Sequence, residues 1–322
     1  MNQSKFSLAD VLTVLAALAF GFVCFLGANF SYINDNKVWG MSHTTGCLVM
    51  AVTIAFLLFI TAFGAKLLKR TSRNFKTSFV WEIVLLVLFV IFAVIFTTKI
   101  SPFPHYFTVT SQKSEIINKL QASITQAENM FAEYESYAET RENLYKHKLQ
   151  SVVTAKNPLE YDSCGFNRIS GVSDASQIDT KMFTIHADLF PTNYSDTISQ
   201  NGIKEVAAKW LQEAKNITIS WKPIGIVGVV NDIEEKSNEW LDTLVKLSQI
   251  REPCEQQANV FEYNLLSYKD VKTHFSKLDS PTLLSIGFAT MAYVLMLLSW
   301  YVTKRNSRST GSFTTATYEV VL

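Results

Sequence analysis

Four stretches of the chain are nearly free of charge: residues 8–28, 46–65, 79–98 and 281–303. Each is about 20 residues long, the length an α-helix needs to cross a hydrocarbon core of about 30 Å. Helices are the expected form, because an apolar segment in lipid must pair its backbone groups within itself. The first stretch is read as a retained span rather than a cleaved leader. Its apolar run exceeds the usual ~7–15 residues, and Leu26 stands where a small residue belongs.

Between the third and fourth runs the pattern changes. "SQKSEIINKLQASITQAENMFAEYESYAETRENLYKHKLQSVVTA" holds no Gly and no Pro. Its apolar positions alternate by three and four: Ile117, Leu120, Ile124, Ala127, Phe131, Tyr134 and Ala138, then Tyr145 and Val152. Arg141 and Lys148 interrupt the file, and Ile116, Met130, Tyr137 and Leu144 form a second one. Two adjacent files predict one long helix with a broad stripe, as in a bundle. Ser111 is its expected N-cap, and Pro158 its stop. Ile117, Leu120, Ile124, Phe131 and Tyr134 form a candidate interaction stripe, facing either a partner or the domain's own helices. Glu133, Glu135, Glu139 and Glu142 fit its solvated face.

Residues 159–200 are rich in Ser, Asp and Thr and predict loops, with one or two strands around "MFTIHADLF". "NGIKEVAAKWLQEAKN" predicts a short amphipathic helix. "ITISWKPIGIVGVVND" is β-branched and suggests a strand or an extended loop. An alternative is a membrane-interface loop anchored by Trp221 and Lys222. Asn231 or Asp232 is the expected cap of the next helix. Val260, Phe261, Asn264, Leu265, Tyr268, Val271, Phe275 and Leu278 are spaced for a last one.

Charge turns this pattern into a topology. Of the 322 residues, 48% are hydrophobic and 18% charged, against about 25% charged in soluble proteins. Residues 66–77 carry Lys66, Lys69, Arg70, Arg73 and Lys76 with no acid. Lys and Arg in short loops mark the cytoplasmic side, and Lys304, Arg305 and Arg308 form a second basic cluster. Both clusters fit one arrangement, with Lys5 and Asp10 near the inner surface. Residues 1–98 hold three spans, 99–280 a domain outside, 281–303 the fourth span and 304–322 a cytoplasmic tail. The expected class is an all-α membrane protein: four transmembrane helices with a large, mainly helical extracytoplasmic domain between spans 3 and 4.

Cys164 and Cys254 are the two cysteines of that outer segment and are the candidate disulfide. Asn193 and Asn216 begin glycosylation sequons; Asn29 begins a third, against the membrane. Asp10 and Glu82 are interfacial acids, free to face one another or to pair with loop cations. Ala17 with Gly21, and Gly64 with Ala65, are small-residue sites for close helix packing.

No phosphate loop, zinc-protease signature or nucleophile elbow is present in the sequence. His186 and Asp188 fall short of the three or four ligands of a metal site. No catalytic residue, cofactor or metal is assigned, and nucleic acid is not an expected partner. Membrane lipids, and other copies or other envelope proteins in a homo- or hetero-oligomer, are. "YEVVL" at the C-terminus has the form of a strand-adding peptide. The layout is similar to that of the tetraspanins. Their Cys-Cys-Gly motif is not matched by Ser163-Cys164-Gly165, and the outer segment is larger, so the likeness is one of topology. The expectation is a non-enzymatic scaffold or assembly subunit of a cell-envelope complex. The alternatives are a channel or transporter subunit and a ligand sensor that signals through a partner.

Overall fold

The computed structural model describes residues 7–71, 75–168, 171–196, 198–255, 260–265 and 269–305. Lys5, Arg73, Tyr268, Arg308 and the "YEVVL" terminus lie outside the described residues. The chain divides into two compact units: unit 1 is Met1–Glu115 with Lys272–Leu322, and unit 2 is Ile116–Val271.

Among its described residues unit 1 contains four helices long and apolar enough to span a membrane. They are α1 (Leu8–Ser31), α2 (His43–Arg70), α3 (Phe75–Ile95) and, from the C-terminal part of the chain, α11 (Leu283–Val302). The expected basic loop is largely helix, because α2 continues through Lys66, Lys69 and Arg70. Cations suit a helix C-terminus, where they meet unpaired carbonyls and the negative dipole end. α3 stops at Ile95 rather than 98. There Thr97 Oγ1 donates to Ala93 O and Thr98 Oγ1 to Ile95 O, both at 2.7 Å.

Residues 37–42, unassigned by the sequence pattern, form a tight hairpin of β1 (Lys37–Val38) and β2 (Met41–Ser42). Its two turn residues, Trp39 and Gly40, have φ of 53° and 77°, as a two-residue hairpin turn matched to strand twist requires. α4 (Pro102–Ser111) follows α3. Pro102 starts this helix, since its fixed φ and missing N–H suit the first position.

α1 packs closely on its neighbours at glycines. A Cβ on Gly27 would stand 1.9 Å from Pro102 O, and one on Gly21 2.9 Å from Ala55 Cβ. Phe20 stacks on Phe103 at 4.2 Å. The core around them is Ala16, Ala17, Cys24, Cys47, Ala51, Leu58, Phe89 and Met296. Asn29 is buried and donates to Phe25 O at 2.8 Å, which removes it as a surface sequon.

α5 (Lys113–Ala155), all but its first three residues in unit 2, is one unbroken helix of 43 residues, about 65 Å long at 1.5 Å per residue. Ser111 is not its cap; it is the last residue of α4 and donates to Thr108 O. α6 (Pro158–Ser163) is followed by α7 (Asp174–Leu189), a helix where the sequence suggested strands. Ser173 caps α7, its side chain accepting from Ser176 N. α8 (Ile203–Ile219) and α9 (Pro223–Ser248) replace the expected strand around Pro223. The α9 cap position is Lys222, not Asn231 or Asp232. Of the last predicted helix, residues 260–265 are non-helical and Lys269–Ser276 form α10.

Candidate functional site

Two clusters bring charged side chains together in buried surroundings, one in each unit. In unit 1 the cluster lies where α1 and α3 begin and α2 and α11 end. Ser7 opens α1 with a capping box, its backbone N–H donating to Asp10 Oδ2 at 2.9 Å. Asp10 also accepts from Lys66 Nζ across the α1–α2 contact, and both side chains are buried. Thr13, one turn further along α1, donates to Met296 O at 3.1 Å.

Glu82, one percent exposed on α3, accepts on Oε1 from Arg305 Nη2 at 2.8 Å and from Trp300 Nε1 at 3.0 Å, and the same Arg305 nitrogen lies 2.8 Å from its Oε2. Lys69 completes the cluster, donating to Trp300 O at 2.8 Å with its ammonium 4.2 Å from that ring's centroid. The two interfacial acids therefore do not face each other; each meets a cation. Removing one partner of such a buried pair leaves an unpaired charge and costs about 3–5 kcal/mol.

In unit 2 the interruption of the apolar file at Arg141 becomes intelligible. Its guanidinium is buried, bonded to both carboxylate oxygens of Glu255, and donates to Ser248 O at 3.0 Å and to Ile250 O. Burial works against both charges. The mutual bonds and charges of the pair outweigh it, holding Glu255 below the usual carboxylate range and Arg141 above its ordinary value. Next to this clamp Cys164 and Cys254 are bonded, with Cα atoms 4.7 Å apart. Tyr145 donates to Pro253 O at 3.3 Å, and burial foremost pushes its phenol up to about 12. Glu252 is raised by burial and then by its hydrogen bond with Asp188.

The stripe residues Leu120, Ile124, Phe131 and Tyr134 are buried inside unit 2, and Ile117 is half-buried. Tyr134 donates to Leu189 O at 2.9 Å and meets Phe261 edge-on at 5.3 Å. Phe131 meets Trp240 at 5.9 Å. The domain's own elements therefore fill this face. Of the acidic face, Glu135 is paired with Lys204 and Glu142 with His186, while Glu133 and Glu139 are exposed. His186 points to Glu142 rather than Asp188. Asn193 and Asn216 are exposed.

A cavity of about 440 Å³ between α3 and α11 is lined mainly by apolar residues, with Thr97, Thr290 and Tyr293 as its polar members. Tyr293 is engaged, donating to Ala93 O at 3.1 Å. A smaller one, about 160 Å³, lies between α8 and α9 beside Trp210, Glu213 and Asp232. Among the described residues no three His, Cys, Asp or Glu side chains converge to hold a metal. Comparison with protein-family models, with curated proteins and with solved structures found no match.

Proposed function

We propose that the chain is a multi-pass scaffold or assembly subunit of a cell-envelope complex, non-enzymatic, that crosses the membrane four times. Both termini are cytoplasmic and residues 99–280 lie outside. What supports this sidedness is the gathering of Lys66, Lys69, Arg70, Lys304 and Arg305 at one end of the four apolar helices, as cytoplasmic ends require. The observation that carries the scaffold role is α5. A helix of this length, clamped at Arg141 and beside a disulfide, is a stiff spine that holds the surface of unit 2 in fixed register.

With the stripe turned inward, docking falls to side chains on the outside of unit 2. Phe183 and Ile198 are 74% and 96% exposed, and Leu144 and Leu159 are also exposed. These four are the candidate contact residues of that surface. A photo-crosslinking residue placed in turn at 144, 159, 183 and 198 in living cells tests the reading. Discrete covalent adducts to a second copy or to another envelope protein are expected. Absence of adducts from every position would overturn it.

A further inference from the structure

Within unit 1, the crevice between α3 and α11 is bridged at two levels. At the basic end Trp300 and Arg305 donate to Glu82. Midway, the Tyr293 ring stands edge-on to Phe89 at 5.9 Å, and its hydroxyl donates to Ala93 O at 3.1 Å. Around and beyond this second bridge lies the cavity of about 440 Å³, running from Leu297 to Ile286 on α11 and from Phe89 to Thr97 on α3. Val90, Val94 and Val294 on its rim are more than half exposed, so it opens on the outer surface of the apolar helices.

The hydroxyl donors in the crevice are all engaged. Thr97 Oγ1 donates to Ala93 O at 2.7 Å and Thr290 Oγ1 to Ile286 O at 2.8 Å, and Tyr293 is held by Ala93 O. A resident water needs about two to four polar partners, so the space suits hydrocarbon. Ile286 and Leu297 are eleven residues apart along α11, about 16 Å at 1.5 Å per residue. Volume over length gives a section of about 27 Å². A helix about 10 Å across needs about 80 Å². One extended hydrocarbon chain, its carbons touching neighbours at about 4 Å, needs about 20 Å². The crevice therefore takes a single acyl chain and excludes a helix from a second copy or another protein.

Charge at the far end of the crevice selects the rest of the molecule. The antiparallel pairs Glu82–Trp300 and Ala93–Tyr293 set Lys99 level with the first turn of α11. Lys99 is exposed, and Ile100 beside it is 75% exposed. The start of α11 adds the positive end of its dipole, where phosphate oxygens meet backbone N–H groups. We propose that the α3–α11 crevice binds one phospholipid, its acyl chain between the helices and its phosphate on Lys99. The inference rests on the four-span reading. A lysine stem can lie along apolar surface while its ammonium reaches the headgroup.

The test reconstitutes the full chain in vesicles of phosphatidylglycerol, phosphatidylcholine and diacylglycerol with identical acyl chains. The vesicles are floated on a gradient and extracted in mild detergent, and the protein is weighed intact by mass spectrometry. One retained phospholipid per chain is expected, favoured several-fold over diacylglycerol. Thr290→Trp, which fills the crevice from an exposed position, should lose it, while Val87→Trp, on α3 outside the crevice, should keep it. Lys99→Gln, on an exposed turn where the fold tolerates the change, should hold phospholipid and diacylglycerol alike. A wild-type chain that retains no lipid or shows no preference for phospholipid would overturn the proposal alone. So would full retention in Thr290→Trp or an unchanged preference in Lys99→Gln. A chain that fails to float with the vesicles would overturn the four-span reading, and this inference with it.

Discussion

The two units both bury charge, but in different places. In unit 1 the pairs Asp10–Lys66 and Glu82–Arg305 stand at one end of the apolar helices. In unit 2 Arg141 stands well inside the length of α5. The media explain the difference. A charge midway along a span has hydrocarbon around it, whereas one near the end has water and headgroups within reach. None of the four apolar helices belongs to unit 2, and its pair anchors the loop bearing Glu255. The same contrast governs the surfaces. α3 leaves Val80, Val87, Val90 and Val94 exposed, as a lipid-facing helix does. The exposed side of α5 carries Glu133, Glu139 and Lys146.

Separate attachments imply separate failures. The largest effect should come from the disulfide. It closes a separation of 90 residues, which on the chain-entropy model stabilises by about 4–5 kcal/mol. Cys254→Ser should therefore speed hydrogen exchange across α5–α9 and leave α1–α3 unchanged; equal loosening of both units would contradict their independence. Next is Arg141→Met, expected to destabilise unit 2 by about 3–5 kcal/mol by stranding Glu255. Adding Glu255→Met should restore much of that in denaturant titration, because no buried charge is then left alone. In unit 1, Gly27→Ala forces a Cβ into the Pro102 carbonyl and should cost about 1–3 kcal/mol as overpacking, read as faster exchange in α1 and α4. Tyr134→Phe should cost only about 0.5–1.5 kcal/mol, the net worth of one hydrogen bond.

pH should separate the units without mutation. Burial, opposed by the Phe275 carbonyl and the Asp279 charge, lowers His105 from 6.5. As pH falls below that value the unfolded imidazole binds a proton before the folded one, so unit 1 loses stability. Glu255 is lowered from 4.5, so its contribution to unit 2 holds above that value and is lost only as pH falls further. Glu252, raised in the fold, acts with the opposite sign and softens that loss. Corrected for the intrinsic exchange rate, which itself falls with pH, protection at pH 5.5 should drop first around α4, and His105→Gln should remove the drop.

The apolar runs were legible because membrane thickness sets a minimum length, and α5 because helical spacing persisted without Gly or Pro. The disulfide was legible because residues 99–280 offer two cysteines. α7 was missed although Ile178, Met182, Ile185 and Leu189 recur by four, three and four; the Ser, Asp and Thr residues around them drew the reading toward loops. The α8–α9 junction misled through its β-branched residues. Packing overrides that preference, and Gly225 lets α9 approach Ile217. Phe261 has helical spacing but sits in a non-helical segment. Its ring fills the space beside Tyr134 and Tyr137, and its N–H donates to Ser248 Oγ at 3.0 Å. The partner of Arg141 lies 114 residues away; the break it makes in the apolar file was the one local sign of it.

Labelling in sealed cells tests the central claim most directly, that the four apolar helices put unit 2 and the basic helix ends on opposite sides of a bilayer. A membrane-impermeant maleimide would be applied to cells carrying Phe183→Cys or Lys76→Cys. The account predicts modification at 183 in intact cells and at 76 only after permeabilisation. Modification at 76 alone, or at both before permeabilisation, would contradict it.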